Sequence, residues 1–213
     1  MKKLTLDIFI VDKRKFFAEF IGTCILSLIV LISDTPATPF PVSTPVAAAI
    51  TLSLCVYLLG DISGCFINPS MSFTAFITKK IDFKTFCYYL IAELLGAVLA
   101  YFISIAYVPA NQEQWLTVKQ ATLFDGVGEM LGSIIFAFGI FSMINNKTDK
   151  ILSGLIVGMS LLVGIIVAHN ASYGVLNPAV AIANKAWSFY YIIMPIIGAV
   201  IGGLISSLLF KNK

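Results

Sequence analysis

Asn68-Pro69-Ser70 and Asn177-Pro178-Ala179 are two copies of one short phrase, each set between a long apolar run and a short one. Asparagine is among the best N-cap residues, and proline is favoured at the first helical position, where no donor is needed. Each phrase therefore reads as a helix start. The helices that would follow, about 69–78 and 178–186, are too short to cross a bilayer, which takes about 20 residues.

The neighbourhoods of the two phrases repeat as well. Ala18-Glu19-Phe20-Ile21-Gly22-Thr23 is echoed by Gly128-Glu129-Met130-Leu131-Gly132-Ser133. Leu90-Ile91-Ala92-Glu93-Leu94-Leu95-Gly96-Ala97-Val98 is echoed by Ile192-Ile193-Met194-Pro195-Ile196-Ile197-Gly198-Ala199-Val200. Six apolar runs are long enough to span: about 16–33, 42–60, 86–108, 124–144, 151–168 and 188–210. The chain thus divides into a first repeat, about 16–108, and a second, about 124–210, within one membrane domain. Each repeat holds three spans. Because three is odd, the second copy must enter the membrane inverted, and such repeats place their site near the midplane.

Composition supports the same class. The 213 residues are 59% hydrophobic and 12% charged, with mean hydropathy +0.95. One soluble core cannot hide that much apolar surface, so lipid is the expected solvent. Lys2, Lys3, Lys13, Arg14, Lys15, Lys79, Lys80, Lys84, Lys147, Lys150, Lys211 and Lys213 fall on one side of the predicted spans, and only Lys119 and Lys185 on the other. The positive-inside rule then puts both termini in the cytoplasm. The net charge of +3 reports orientation, not nucleic-acid binding. The start of the chain lacks a cleavable apolar core, so the first span is expected to serve as the insertion signal. Cys24, Cys55, Cys65 and Cys87 form no CxxC pair, which argues against a disulfide framework or a thiolate metal site.

Non-helical backbone at membrane depth survives only inside protein or beside water. The segments before the two phrases, 61–67 and 169–176, fit the lining role and would offer carbonyls to a passing solute. If both fold in from opposite faces, two helix N-termini meet at the centre. Each carries roughly half a positive charge. Together they oppose cations, while the asparagine amides can donate to a neutral solute.

These residues resemble the aquaporin, or major intrinsic protein, family. The likeness rests on the paired Asn-Pro boxes, Ala18–Thr23, Ser63-Gly64, Gly154 with Gly158, and Pro195-Ile196-Ile197-Gly198-Ala199. It covers nearly the whole chain. The resemblance implies an all-α membrane protein of six spanning helices plus two half-membrane re-entrant helices. It also implies a homotetramer with one pore per subunit; the short loops and tails suggest a cell-membrane protein.

The chain departs from the family at its filter. The position three residues after the second asparagine, usually arginine, is Val180. Arg14, the chain's only arginine, lies before the first span and cannot stand in. Counted without gaps, the remaining filter positions are Ala48, Ile165 and Gly174; a shift of one residue would substitute Tyr173. The set is small and apolar. It should widen the passage for glycerol, urea or ammonia, yet an apolar ring can also exclude water by dewetting. Ser70 and Met71 replace the usual alanine and valine, and Phe66 stands where many members carry histidine, which disfavours gating by protonation there.

Carboxylates within spans default to functional hypotheses. Glu19 and Glu129 resemble the family's buried glutamates that hold the loop backbones. Glu93 replaces a glutamine and lacks a symmetric partner, since its counterpart in the second repeat is Pro195; it is expected to be protonated against lipid or tetramer neighbours, or paired with a buried amide. Asp61 is expected to cap or solvate the inner loop. His169, the only histidine, reads as a vestibule residue, and one histidine without clustered acids or thiols is weak evidence for a metal. No nucleophile–base pair, metal cluster or phosphate loop suggests an enzyme, a cofactor or a nucleic-acid partner. The expected function is passive conduction of water or small uncharged solutes. The alternatives are a proton-coupled transporter using Glu19, Glu93 and Glu129, and a closed structural tetramer.

Overall fold

The computed structural model describes residues 12–33, 42–108 and 121–210, and every regular element among them is a helix. In chain order these are α1 (Lys13–Ile32), α2 (Thr44–Ser63), α3 (Pro69–Ile77), α4 (Phe83–Tyr107), α5 (Leu123–Asn145), α6 (Lys150–Ala168), α7 (Pro178–Ala183) and α8 (Phe189–Leu209). Six are 19 to 25 residues long and apolar enough to span. At 1.5 Å per residue they measure about 28 to 37 Å, against a hydrocarbon core of about 30 Å.

Local chemistry sets the starts. Asp12, Asp82 and Asp149 cap α1, α4 and α6 by accepting the backbone N–H of Arg14, Thr85 and Ile151. These helices begin on one face, hereafter the near face, where α2 also ends. The α2 end meets the α6 start through the Lys150–Asp61 ion pair. Asp61 therefore does not cap or solvate the re-entrant loop as expected. It lies on the last turn of α2 and turns outward to a lysine of the other repeat. α5 begins on the far face with a capping box between Thr122 and Asp125.

Carboxylates lie inside while large apolar side chains face outward. Glu19, Glu93 and Glu129 are fully buried, while Ile50, Leu58, Phe102, Ile151 and Leu208 are exposed. That inversion of the soluble pattern is what a lipid solvent selects. Close helix crossings hold each half together. A Cβ on Gly96 of α4 would strike the Phe20 carbonyl of α1, and one on Gly198 of α8 would strike the Met130 carbonyl of α5. Gly96 and Gly198 are repeat counterparts, as are Phe20 and Met130. Small residues at membrane helix crossings admit this approach.

Both short helices end alike, with a left-handed lysine (Lys79, φ 60°; Lys185, φ 58°) whose neighbour closes a Schellman turn. α7 stops at Ala183, earlier than the expected 186, because Asn184 and Lys185 already form that turn. The non-helical stretches are also shorter than expected. α2 continues through Ser63, leaving only 64–67 irregular, and residues 169–172 form a turn on the α6 end, leaving only 173–177 irregular.

Candidate pore site

Two re-entrant segments meet at the centre and hold each other. The Asn68 side-chain amide donates to the Leu176 carbonyl at 2.9 Å, and the Asn177 amide donates to the Ile67 carbonyl at 3.0 Å. Each asparagine also caps its own short helix: Asn68 Oδ1 accepts from Ser70 N at 2.9 Å, and Asn177 Oδ1 from Ala179 N at 3.0 Å. A side-chain amide has two N–H groups. One is spent across the junction in each case; the other has no acceptor among the described residues.

This arrangement requires strained backbone. Ile67 (φ 41°) and Leu176 (φ 53°), the residues before the asparagines, are both left-handed. For a β-branched residue such as Ile67 that is an outlier. Buried carboxylates hold these turns. Glu19 accepts Phe66 N at 3.1 Å and Ile67 N at 2.6 Å. Glu129 accepts Val175 N at 2.9 Å, Leu176 N at 2.6 Å and the Ser172 hydroxyl at 2.8 Å. Hydrogen bonds of this kind contribute roughly 0.5–1.5 kcal/mol each. Neither carboxylate lines the cavity described below.

Glu93 breaks the symmetry. Its Oε1 accepts Asn68 N at 3.1 Å and the Ser72 hydroxyl at 2.5 Å, while Oε2 is buried without a hydrogen-bond partner. Of the two expectations for Glu93, pairing with a buried amide describes its contacts, and the amide is backbone.

Reading residue by residue missed a second matched pair. Tyr89 and Tyr191, both fully buried, directly precede the two copies of the third-span motif. Tyr89 donates its hydroxyl to the Ser63 carbonyl at 2.7 Å. The Tyr191 oxygen accepts Tyr173 N at 3.2 Å and its hydroxyl donates to Asp125 at 2.9 Å. Ser63 and Ser172 also match, each accepting the N–H two residues on at 3.0 Å. Extending the repeat alignment by one residue would have revealed the tyrosines.

Between the segments and the long helices lies a cavity of 610 Å³. It runs from Ser43 and Pro45 at the far face inward to Asn68, Asn177 and Phe66. All four gap-free filter positions, Ala48, Ile165, Gly174 and Val180, line it, and so does Tyr173. Gly174 is left-handed (φ 64°), and a Cβ there would stand 3.1 Å from the Ile165 side chain. Cys65 (φ 52°) occupies the matching place in the first segment. His169 is exposed at the far mouth of the cavity. No group of three or more metal-ligating side chains occurs among the described residues.

A sequence profile of the family described as Major intrinsic protein matches residues 8–210. The aquaporin AqpM of Methanothermobacter marburgensis is 26% identical, over 90% of this chain and 95% of its own. The glycerol uptake facilitator protein-like 6 of Lactiplantibacillus plantarum is 28% identical, over 88% of this chain and 94% of its own. A probable aquaporin, TIP-type, of Medicago truncatula reaches 31% identity over 86% and 78%. Among solved structures, the aquaglyceroporin from Plasmodium falciparum superposes with a TM-score of 0.61 at 19% identity, covering 94% of this chain and 96% of that one. With its paired boxes bonded across the centre and a profile match along almost its whole length, the chain belongs to the major intrinsic protein family.

Proposed function

We propose that the protein is a passive membrane channel for water and small uncharged solutes, with the asparagine-lined cavity as its path. The observation that carries this reading is the pair of half-committed asparagine amides at the inner part of the cavity. Each retains one N–H to offer a solute oxygen, and two helix N-termini behind them disfavour cations. α7 is only 6 residues long, so the larger share of that field comes from α3.

The path is wider and less polar at its far side than an arginine-bearing filter would make it. Ala48, Gly174 and Val180 expose little bulk, and Ile165 is the largest of the four. Glycerol, urea and ammonia are therefore candidate solutes beside water. Glu19 and Glu129 act as loop supports. The near face is assigned to the cytoplasm by the lysine distribution, the membrane to the cell membrane, and the assembly to a homotetramer with one pore per subunit. No enzymatic role is assigned, and no cofactor, metal or nucleic acid is required.

Light scattering of proteoliposomes after osmotic shock tests the proposal, once with an impermeant osmolyte and once with glycerol. Fast shrinkage followed by fast glycerol re-swelling is expected. Rates equal to those of empty liposomes in both cases would replace this reading with a closed tetramer or a coupled transporter.

A further inference from the structure

Phe66 stands at the near-side end of the cavity, two residues before Asn68 on the re-entrant segment. The cavity passes the four apolar filter positions without interruption before it reaches this ring. Among the described residues the cavity is continuous from the far face to this ring.

The ring is held from three directions. Phe141 of α5, fully buried, stacks on it with centroids 6.5 Å apart and planes at 18°. Tyr89 of α4 lies at 6.2 Å and is itself tied to the Ser63 carbonyl. Gly64 supplies the third side: a Cβ there would stand 3.1 Å from Phe66 Cε2. The Phe66 backbone is also fixed, because its N–H donates to Glu19. An aromatic side chain buries a large area, and here its orientation is set by packing, so it behaves as a fixed wall. The matching residue of the second segment is the smaller Val175, which also lines the cavity. The two halves thus differ at one equivalent position, aromatic on the near side and aliphatic on the far side.

We infer that Phe66 is the size-selecting residue of this channel: the constriction lies on the near side of the paired asparagines, where the Phe66 ring is clamped between Phe141 and Tyr89. The inference rests on the channel reading above. It makes the passage a wide apolar funnel ending in an aromatic sieve, and the solutes it favours are small neutral molecules that shed water readily against an apolar ring.

The test uses the full chain in proteoliposomes, with Phe66→Ala and Phe66→Leu beside wild type, and water, glycerol and erythritol as probes. Wild type is expected to pass water and glycerol and to exclude erythritol. Phe66→Ala should raise the erythritol-to-glycerol permeability ratio by about tenfold, the change carried by ~1.4 kcal/mol of barrier. Phe66→Leu, which keeps an apolar contact with Phe141 and Tyr89, should shift the ratio in the same direction by less, and it carries the test if the alanine variant does not fold. If wild type conducts and a folded Phe66 variant keeps its size cut-off, the constriction lies elsewhere and the inference fails alone. If wild type and folded variants all match empty liposomes, the channel reading fails and takes the inference with it.

Discussion

Asn68 and Leu176 are joined across the centre of the molecule by a 2.9 Å bond from side-chain amide to backbone carbonyl, and Asn177 returns the bond to Ile67. Each repeat therefore fixes the other's most strained residue. The two halves cannot be positioned independently, which is why the loop supports have consequences beyond their own segment.

Glu129 receives three donors, Val175 N, Leu176 N and the Ser172 hydroxyl. Glu129→Ala strips the buried Leu176 N–H and the half-buried Val175 N–H of their acceptor, at about 1–3 kcal/mol each, while the Ser172 hydroxyl keeps the Ala168 carbonyl as a second acceptor. A lower thermal midpoint in detergent and loss of water permeability are expected. Glu129→Gln retains one acceptor oxygen and should fall between the two. Equal midpoints for wild type and the alanine variant would remove Glu129 from its supporting role.

Glu93 uses a single oxygen for both of its bonds. A glutamine can supply that oxygen, so Glu93→Gln is expected to keep both stability and solute flux near wild type. Glu93→Leu should lose stability by roughly 1–3 kcal/mol through the two abandoned donors. Flux abolished by the glutamine change, with the fold intact, would instead favour a proton-carrying role.

Val180 and Ala48 both line the cavity. Val180→Arg places a cationic fork in the funnel, narrowing it and adding donors. Glycerol flux should fall by about tenfold, equivalent to ~1.4 kcal/mol of barrier, while water flux falls less. Stopped-flow scattering of the two vesicle preparations measures both. An unchanged glycerol rate would mean that residue 180 does not border the path.

Gly174 combines a left-handed φ of 64° with a Cβ site 3.1 Å from both the Ile165 side chain and its carbonyl oxygen. Left-handed backbone costs an L-residue about 1–2 kcal/mol, and a β-branched side chain adds to that. Gly174→Val should lower stability and flux together, with Gly174→Ala milder in both. A valine variant as active and as stable as wild type would show that the segment around 174 tolerates bulk.

Periodicity and duplication made most of this architecture readable. The six spans, both half-helix starts and the Glu19–Glu129 pair all depend on local chemistry that recurs in matching places. What escaped was tertiary. Asp61 looked like a loop residue because its partner, Lys150, is distant in sequence. The end of α7 at Ala183 depends on a Schellman turn at Lys185, and apolar content alone cannot place it. The tyrosine clamps were visible in the repeat but carried no recognised chemistry until Ser63 and Tyr173 were seen beside them. The position of the narrowest point depends on which rings stack, and Phe66, Phe141 and Tyr89 are brought together only by folding.

Chemical modification at residue 180 tests most directly whether the cavity between the boxes is the conducting path. Val180→Cys, in a background with the four native cysteines replaced, would be treated with a membrane-impermeant charged thiol reagent and its reaction verified by mass. Osmotic water permeability should then drop toward that of empty vesicles and recover when a reductant removes the label. Full modification with undiminished permeability would contradict the proposed path.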